Sequence, residues 1–357
     1  MIFVGDVAIA EGDSFTQSGF PPEFANKPLC VNLEGAVPSS SRGGHASKGV
    51  ANEESWIRSF RGFRLGPVFL ANNHVQDVPG GIASTVKHLR SVGLEWFGAG
   101  DCQQSASAAV SCVSDNINYS LVGAGWPVIG CKPAKGLRDG VCGLDGEWLK
   151  ESVRSILKLS PDSRVVVVLH WNYEFERFPQ PGHRKLALDL IDSGAYAVVG
   201  HHPHIAGPVE RYKDRTIAYS LGNWAFSYGR HFDGRLRFPE ASFQQLAVEL
   251  GANEDVLHYA HFEPPSRIKY ERAQSINDPA LLSRASFEGA SDVEYAEWFK
   301  KNRVKKKALP IYYDYRSSLS NSLRDHFVAG RQLLIDSAVR VGLKSLRRSV
   351  GNSGHEQ

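Results

Sequence analysis

Short apolar runs recur along the first two thirds of the chain, each closed by small or polar residues. They span 2–7, 29–33, 68–71, 94–97, 121–123, 164–169, 195–199 and 216–221. Between several of them, at 81–92, 147–159 and 184–191, the apolar positions fall at helical spacing. Strands alternating with helices of about 10–15 residues predict an α/β sheet. The run from Val165 to Leu169 has no polar position at all, which suits a strand covered on both faces. After Tyr219 the pattern changes. The segments 243–250 and 256–262 flank Gly251-Ala252-Asn253-Glu254-Asp255 and predict an antiparallel hairpin. Beyond Pro264-Pro265 the chain turns charged and helical in pattern. The expected division is therefore a domain over 1–265 and a basic, mostly helical extension over 266–357.

Composition changes this picture little. A chain of 357 residues can bury about three quarters of its unfolded surface and needs no covalent staples. The formal net charge of +3 excludes a protein whose whole surface is a nucleic-acid footprint, and no specific nucleic-acid partner is expected. The five cysteines, Cys30, Cys102, Cys112, Cys131 and Cys142, have no C-x-x-C spacing. They read as reduced, buried thiols, with one or two bridges among the last four left open. The strand-like pattern from Met1 onward gives no expectation of a secretory leader, and no apolar run reaches the roughly 18 residues of a membrane span. The expected location is the cytoplasm. Peripheral membrane contact is an added possibility through 298–307, where six of the eight residues 300–307 are Lys or Arg beside Trp298 and Phe299, or through 319–350. A solvated basic loop is the favoured reading of the first. Packing across the core or in a dimer is favoured for the second.

The candidate chemistry gathers at strand ends. Asp6 closes the first run, Glu34 the second, and Asn72-Asn73-His74 the third. His170 ends the five-residue apolar strand, and His201-His202-Pro203-His204 follows 195–199. In an open α/β sheet, ligands bind outside the carboxyl ends of the strands. One aspartate there would read as a helix cap; five strand ends offering carboxylate, amide and imidazole do not. Those donors suit Zn²⁺, Mn²⁺ or Fe. His202 and His204 can converge if the turn at Pro203 aims them the same way, while His201 is expected to point elsewhere. Asp77 reads as a helix-start residue ahead of Pro79.

Asp6, Asn32-Leu33-Glu34, Ala71-Asn72-Asn73-His74, His170-Trp171 with Glu174, Gly200-His201-His202-Pro203-His204 and Tyr219-Ser220-Leu221-Gly222-Asn223 occur in one order. In that order the sequence resembles the CapA / poly-γ-glutamate capsule-biosynthesis family, a branch of the calcineurin-like metallophosphatases. The resemblance covers residues 1 to about 230 well, the hairpin loosely and the rest not at all. It implies a four-layer αββα sandwich with one or two divalent ions. Glu34 would bridge two metals, with Asp6 and His204 on the first and Asn73, His170 and His202 on the second. His74 would be the non-ligand histidine acting on substrate, with Glu174 and Asn223 lining the site. Two ions about 3.5–4 Å apart would stabilise both the attacking and the leaving oxygens. Related phosphatases carry His where this chain has Ala8, which weakens or empties the first position. Asn172 replaces a usual Gly and would narrow or re-polarise that rim.

The reading leans to an enzyme, a metal-dependent hydrolase of a phosphoester, or of an amide, in capsule or other cell-surface polymer biosynthesis. Its partners would be that polymer or its precursor and proteins of the same assembly machinery. The alternative is a non-catalytic scaffold that binds the polymer or a partner protein.

Overall fold

A computed structural model of the chain describes residues 1–39, 49–234, 236–304 and 309–340, with backbone alone at 335–340. Two sheets dominate. The larger runs Thr16–Ser18, Arg267–Ser275, Asp255–Glu263, Gln244–Leu250, Ile2–Ala8, Leu29–Leu33, Leu65–Phe69 and Trp96–Phe97, with Asn223–Phe226 also pairing Ile2–Ala8. The smaller runs Val209–Tyr212, Arg215–Ala218, Ala197–His201, Arg164–His170, Ile117–Gly125 and Val110–Ser114. Both centres are parallel: Ile2–Ala8 with Leu29–Leu33, and Arg164–His170 with both its neighbours.

The apolar run at 165–169 explains the layering. Val166 and Val168 join Phe3, Val31 and Phe69 in a core between the two sheets. Val165, Val167 and Leu169 turn the other way, onto Leu149 and Val153 of the helix Gly146–Leu159 and Leu186 and Leu190 of the helix Pro181–Asp192. Trp56, Phe60, Ile82 and Leu89, from the short 3₁₀ helix Glu54–Phe60 and the helix Gly81–Ser91, pack with the larger sheet. The result is the expected four-layer αββα sandwich. His170 is the next even position after Val166 and Val168, so the register that buries the valines also aims its imidazole between the sheets.

Beyond residue 265 the chain first adds the strand Arg267–Ser275, antiparallel to Asp255–Glu263. Only Ile268 of this strand is fully buried, and the exposed charges around it hide the strand period. Two helices follow, Asp292–Asn302 and Leu319–Arg340. Trp298 and Phe299, the aromatic pair beside the basic run, belong neither to a solvated loop nor to a membrane-facing surface but are turned inward: Phe299 is buried, and Trp298 packs on Phe178 and Phe287 at centroid distances of 4.7 and 5.2 Å. Residues 305–307 of the basic run lie outside the described residues. The helix Leu319–Arg340 leaves Leu323, Phe327, Leu333 and Leu334 exposed instead of packing them across the core, and 341–350 again lie outside the described residues. The five cysteines are unpaired. Among the described residues no helix is long and apolar enough to cross a membrane.

Candidate metal centre

Glu34 stands one residue past the strand Leu29–Leu33 and is fully buried. Its Oε1 faces three imidazole Nε2 atoms from three different strand ends: His74 at 3.8 Å, His204 at 3.8 Å and His170 at 4.0 Å. Glu34, His202 and His204 can offer one donor atom each within 4.8 Å of one another. His170 Nε2 lies 2.8 Å from Asn73 Oδ1. Donors held at about 2.0–2.2 Å from one ion sit roughly 3 Å apart at right angles, so that pair has the spacing of neighbouring ligands.

Around these atoms lies a set of hydrogen bonds that fixes ring orientation. Asp6 Oδ1 pairs with His201 Nδ1 at 2.8 Å and accepts from Asn32 Nδ2 at 2.9 Å. Its Oδ2 accepts the His202 backbone N–H at 3.3 Å and lies 3.4 Å from His204 Nδ1. Asn32 Nδ2 also reaches His170 Nδ1 at 3.2 Å, and Asn223 Oδ1 reaches His204 Nδ1 at 2.9 Å. Asn72 ties two strand ends together: its Nδ2 donates to the Leu33 carbonyl at 2.8 Å, and its Oδ1 accepts from Gly35 N and His74 N. The loop after Ala197–His201 is left-handed at His202 (φ 95°) and His204 (φ 58°), a costly conformation for side-chain-bearing residues and one found where function demands it. Gly200 must be glycine, because a Cβ there would lie 2.1 Å from the Tyr219 carbonyl and 2.5 Å from Trp171 Nε1.

The electrostatics match a cation site. Burial, reinforced by the neighbouring histidines, pushes His170 well below its ordinary value and His202 down to about 3; burial also lowers His204. All three are therefore neutral near pH 7, the state a metal requires. Burial alone would raise the Asp6 carboxyl, but the His201 hydrogen bond, the charges of His201 and His204 and the Asn32 amide hold it below the usual range. His202 Nδ1 is buried with no hydrogen-bond partner among the described residues. A donor atom left bare inside a cluster of carboxylate and neutral imidazole is what a bound ion would satisfy, and the residues present fit a divalent ion.

Several expectations change. His201 does not point elsewhere; it is buried and holds Asp6, because strand alternation puts it with Ala197 and Val199 on the face between the sheets, in register with His170. Asp77 is not a helix start. The helix begins at Gly81, while Asp77 Oδ2 lies 2.6 Å from His74 Nδ1 and accepts the Val50 N–H at 3.0 Å. Asn172 does not re-polarise the rim. It adopts φ 70°, a region asparagine tolerates, and its amide turns away to Glu176, Phe178 and Gln180. Ala8 sits in a small apolar cluster with Val50, Phe226, Leu236 and Phe238, and the buried His231 stands against it with Nε2 3.5 Å from the Ala8 carbonyl. Glu174 is half-buried and near enough to His202 and His204 to act on both electrostatically. Asn32, Asn72, His201 and Asp77 were legible only as motif neighbours; an asparagine or aspartate one to three residues from a ligand is the available signal.

The model of the family described as bacterial capsule synthesis protein PGA_cap matches residues 2–228. The PGA biosynthesis protein CapA of Bacillus subtilis (strain 168) is 29% identical over 243 residues, covering 64% of this chain and 63% of that protein. The capsule biosynthesis protein CapA of Bacillus anthracis is 29% identical over 163 residues, 45% of this chain and 40% of that protein. The chain thus spans less than two thirds of either relative. A crystal structure of a 5'-nucleotidase precursor from Thermus thermophilus aligns with 70% of this chain and 44% of that one, at 14% identity and a TM-score of 0.37.

Proposed function

The chain belongs to the bacterial capsule synthesis protein PGA_cap family, and on that premise we propose that it is a metal-dependent hydrolase acting on an ester or amide bond in the biosynthesis of a capsule or other cell-surface polymer. The observation that carries this reading is the convergence on Glu34 of imidazole nitrogens from three strand ends, beside the bare Nδ1 of His202. Glu34, His170, His202, His204 and Asn73 would hold divalent metal, with Asp6 as a further ligand. A bound ion would act as a Lewis acid toward a substrate oxygen and toward water.

His74 has the other part. With Nδ1 fixed on Asp77, its Nε2 faces the centre as the atom that takes or gives a proton at the reacting bond. Asn223 orients His204, and Glu174 sits where a substrate would approach the two histidines. Asp6, Glu34 and His170 are fully buried, so bulk water is kept from the ligand atoms.

The test is turnover of mono- and bis-(p-nitrophenyl) phosphate and of a chromogenic amide by metal-loaded protein, beside His74→Ala. Turnover lost in the variant while metal content and folding persist supports the hydrolase. A second reading, a polymer- or partner-binding scaffold, is favoured by Ala8 itself, whose methyl offers the centre no donor atom. Equal metal content without turnover of any of the three substrates would support it.

A further inference from the structure

A cleft of about 530 Å³ opens beside the centre, lined by Gln76, Gly130, Lys132, Lys135, Arg138 and Asp139 among others. Its back wall, at Gly130 and Cys131, adjoins the Asn73 side of the site. Gly130 (φ +100°) approaches so closely that a Cβ built on it would lie 3.7 Å from the Asn73 Cβ, and Asn73 Oδ1 is the atom 2.8 Å from His170 Nε2. Gln76 follows His74 by two residues, and Cys131 Sγ lies 3.8 Å from the Ala71 carbonyl, just before the Asn72-Asn73-His74 motif.

The front wall is basic. Lys132, Lys135 and Arg138 come from one hairpin whose backbone is pinned. Val141 N donates to the Lys132 carbonyl at 3.0 Å, Ala134 N to the Val141 carbonyl at 2.9 Å, and Lys135 and Arg138 exchange bonds of 3.2 and 3.0 Å. Elsewhere on the surface cations take carboxylate partners, as Lys150 does with Glu147, Lys213 with Asp192 and Arg316 with Glu147. Among the described residues none of the three hairpin cations has a carboxylate within 4.0 Å. Three cations against the single carboxylate of Asp139 in a concave wall focus positive potential on whatever enters it. Asp139 also lines a second hollow of about 280 Å³ that holds Lys87, Arg90 and Trp96, with the Arg90 guanidinium 5.0 Å over the Trp96 ring. That second hollow also holds Asp101, so its charges balance, and the excess positive charge lies on the hairpin cleft.

We propose that the 132–138 hairpin is a substrate-positioning subsite that seats an anionic segment, carboxylate- or phosphate-bearing, flanking the bond presented to the metal centre. Seating the chain there fixes the scissile bond against Asn73 and His74, so the cations act on substrate binding and leave the ligand atoms untouched. The proposal rests on the hydrolase reading for the word substrate, but its binding claim is tested separately.

Fluorescence anisotropy of metal-loaded protein with three labelled probes of equal length makes that test: oligoglutamate, polyphosphate and the neutral oligoglutamine. The expected result is binding of at least one anionic probe, weakened between 50 and 200 mM salt, with no binding of oligoglutamine. Lys132→Ala/Lys135→Ala/Arg138→Ala should weaken it about tenfold or more, while Lys132→Arg/Lys135→Arg/Arg138→Lys restores it. Whichever anionic probe binds tighter names the source of the charge. Unchanged affinity in the triple alanine variant, equal binding of oligoglutamine, or no binding of either anion at 50 mM salt overturns the proposal. Glu34→Gln separates the two claims: anion binding retained with turnover lost leaves the subsite standing. Turnover of an anionic substrate at unchanged KM in the triple variant removes the subsite and leaves the hydrolase.

Discussion

His183 gives the most quantitative prediction. It is buried between two tryptophans, stacked on Trp171 at 5.0 Å and 14° and edge-on to Trp126 at 4.6 Å and 87°. Its Nδ1 has no hydrogen-bond partner among the described residues. Burial pushes it down from 6.5 to about 3, so the folded protein keeps it neutral where the unfolded chain already binds a proton. The sign follows directly. Between pH 6.5 and 3 the unfolded state holds more protons, so stability is complete above 6.5 and lost as pH falls through that window. Each pH unit below 6.5 removes about 1.4 kcal/mol, hence about 2.7 kcal/mol at pH 4.5 from this one side chain. His183→Phe keeps an aromatic ring between the tryptophans but cannot titrate. Its packing penalty, about 1–3 kcal/mol, is the same at both pH values and cancels. Urea unfolding of wild type and variant at pH 7.5 and 4.5 reads the difference. The wild type should lose about 2.5 kcal/mol more than the variant between the two conditions. Equal losses in the two proteins would refute the reasoning, and with it the claim that His183 is dry and uncharged.

Other predictions concern the centre itself. Asp77→Ala removes the partner of His74 Nδ1 and should lower kcat on a chromogenic ester about 10–100-fold with metal content unchanged, read by steady-state kinetics beside elemental analysis. His201→Ala frees Asp6 from its 2.8 Å contact and should weaken metal affinity about 10–100-fold, measured by competition with a chelating dye. Gly200→Ala forces a Cβ against the Tyr219 carbonyl and the Trp171 indole nitrogen and should cost about 3 kcal/mol of stability in urea; no change would show that the backbone can yield there.

Much of this site can be read before any coordinates because a parallel sheet announces itself. Unbroken apolar runs such as 165–169 mark strands covered on both faces, and the polar residue that ends each run lies at the ligand edge. What stays hidden depends on backbone handedness. The strand period accounts for His201, which follows Ala197 and Val199 to Asp6 between the sheets. The left-handed φ of 95° at His202 and 58° at His204, on the loop that brings His202 and His204 to Glu34, leaves no mark in that period. Pro203 signals a turn without giving its hand. Asp77 shows the same gap: a tight turn, with its N–H bonded to the His74 carbonyl at 3.0 Å, returns it to the ring three residues back, and sequence spacing alone reads it as a cap. The strand Arg267–Ser275 escapes notice because most of its side chains are charged or polar, so the pairing that defines it leaves only the short trace of Ile268 and Tyr270.

The central claim is that these strand ends hold metal, and it is tested most directly by elemental analysis of wild-type, Glu34→Ala and His202→Ala protein purified without a metal-affinity tag. The account predicts about one to two equivalents of transition metal in the wild type, and little in either variant although both remain folded by circular dichroism. A wild type that carries no metal and takes up none of Mn²⁺, Zn²⁺ or Fe²⁺ on reloading would contradict it.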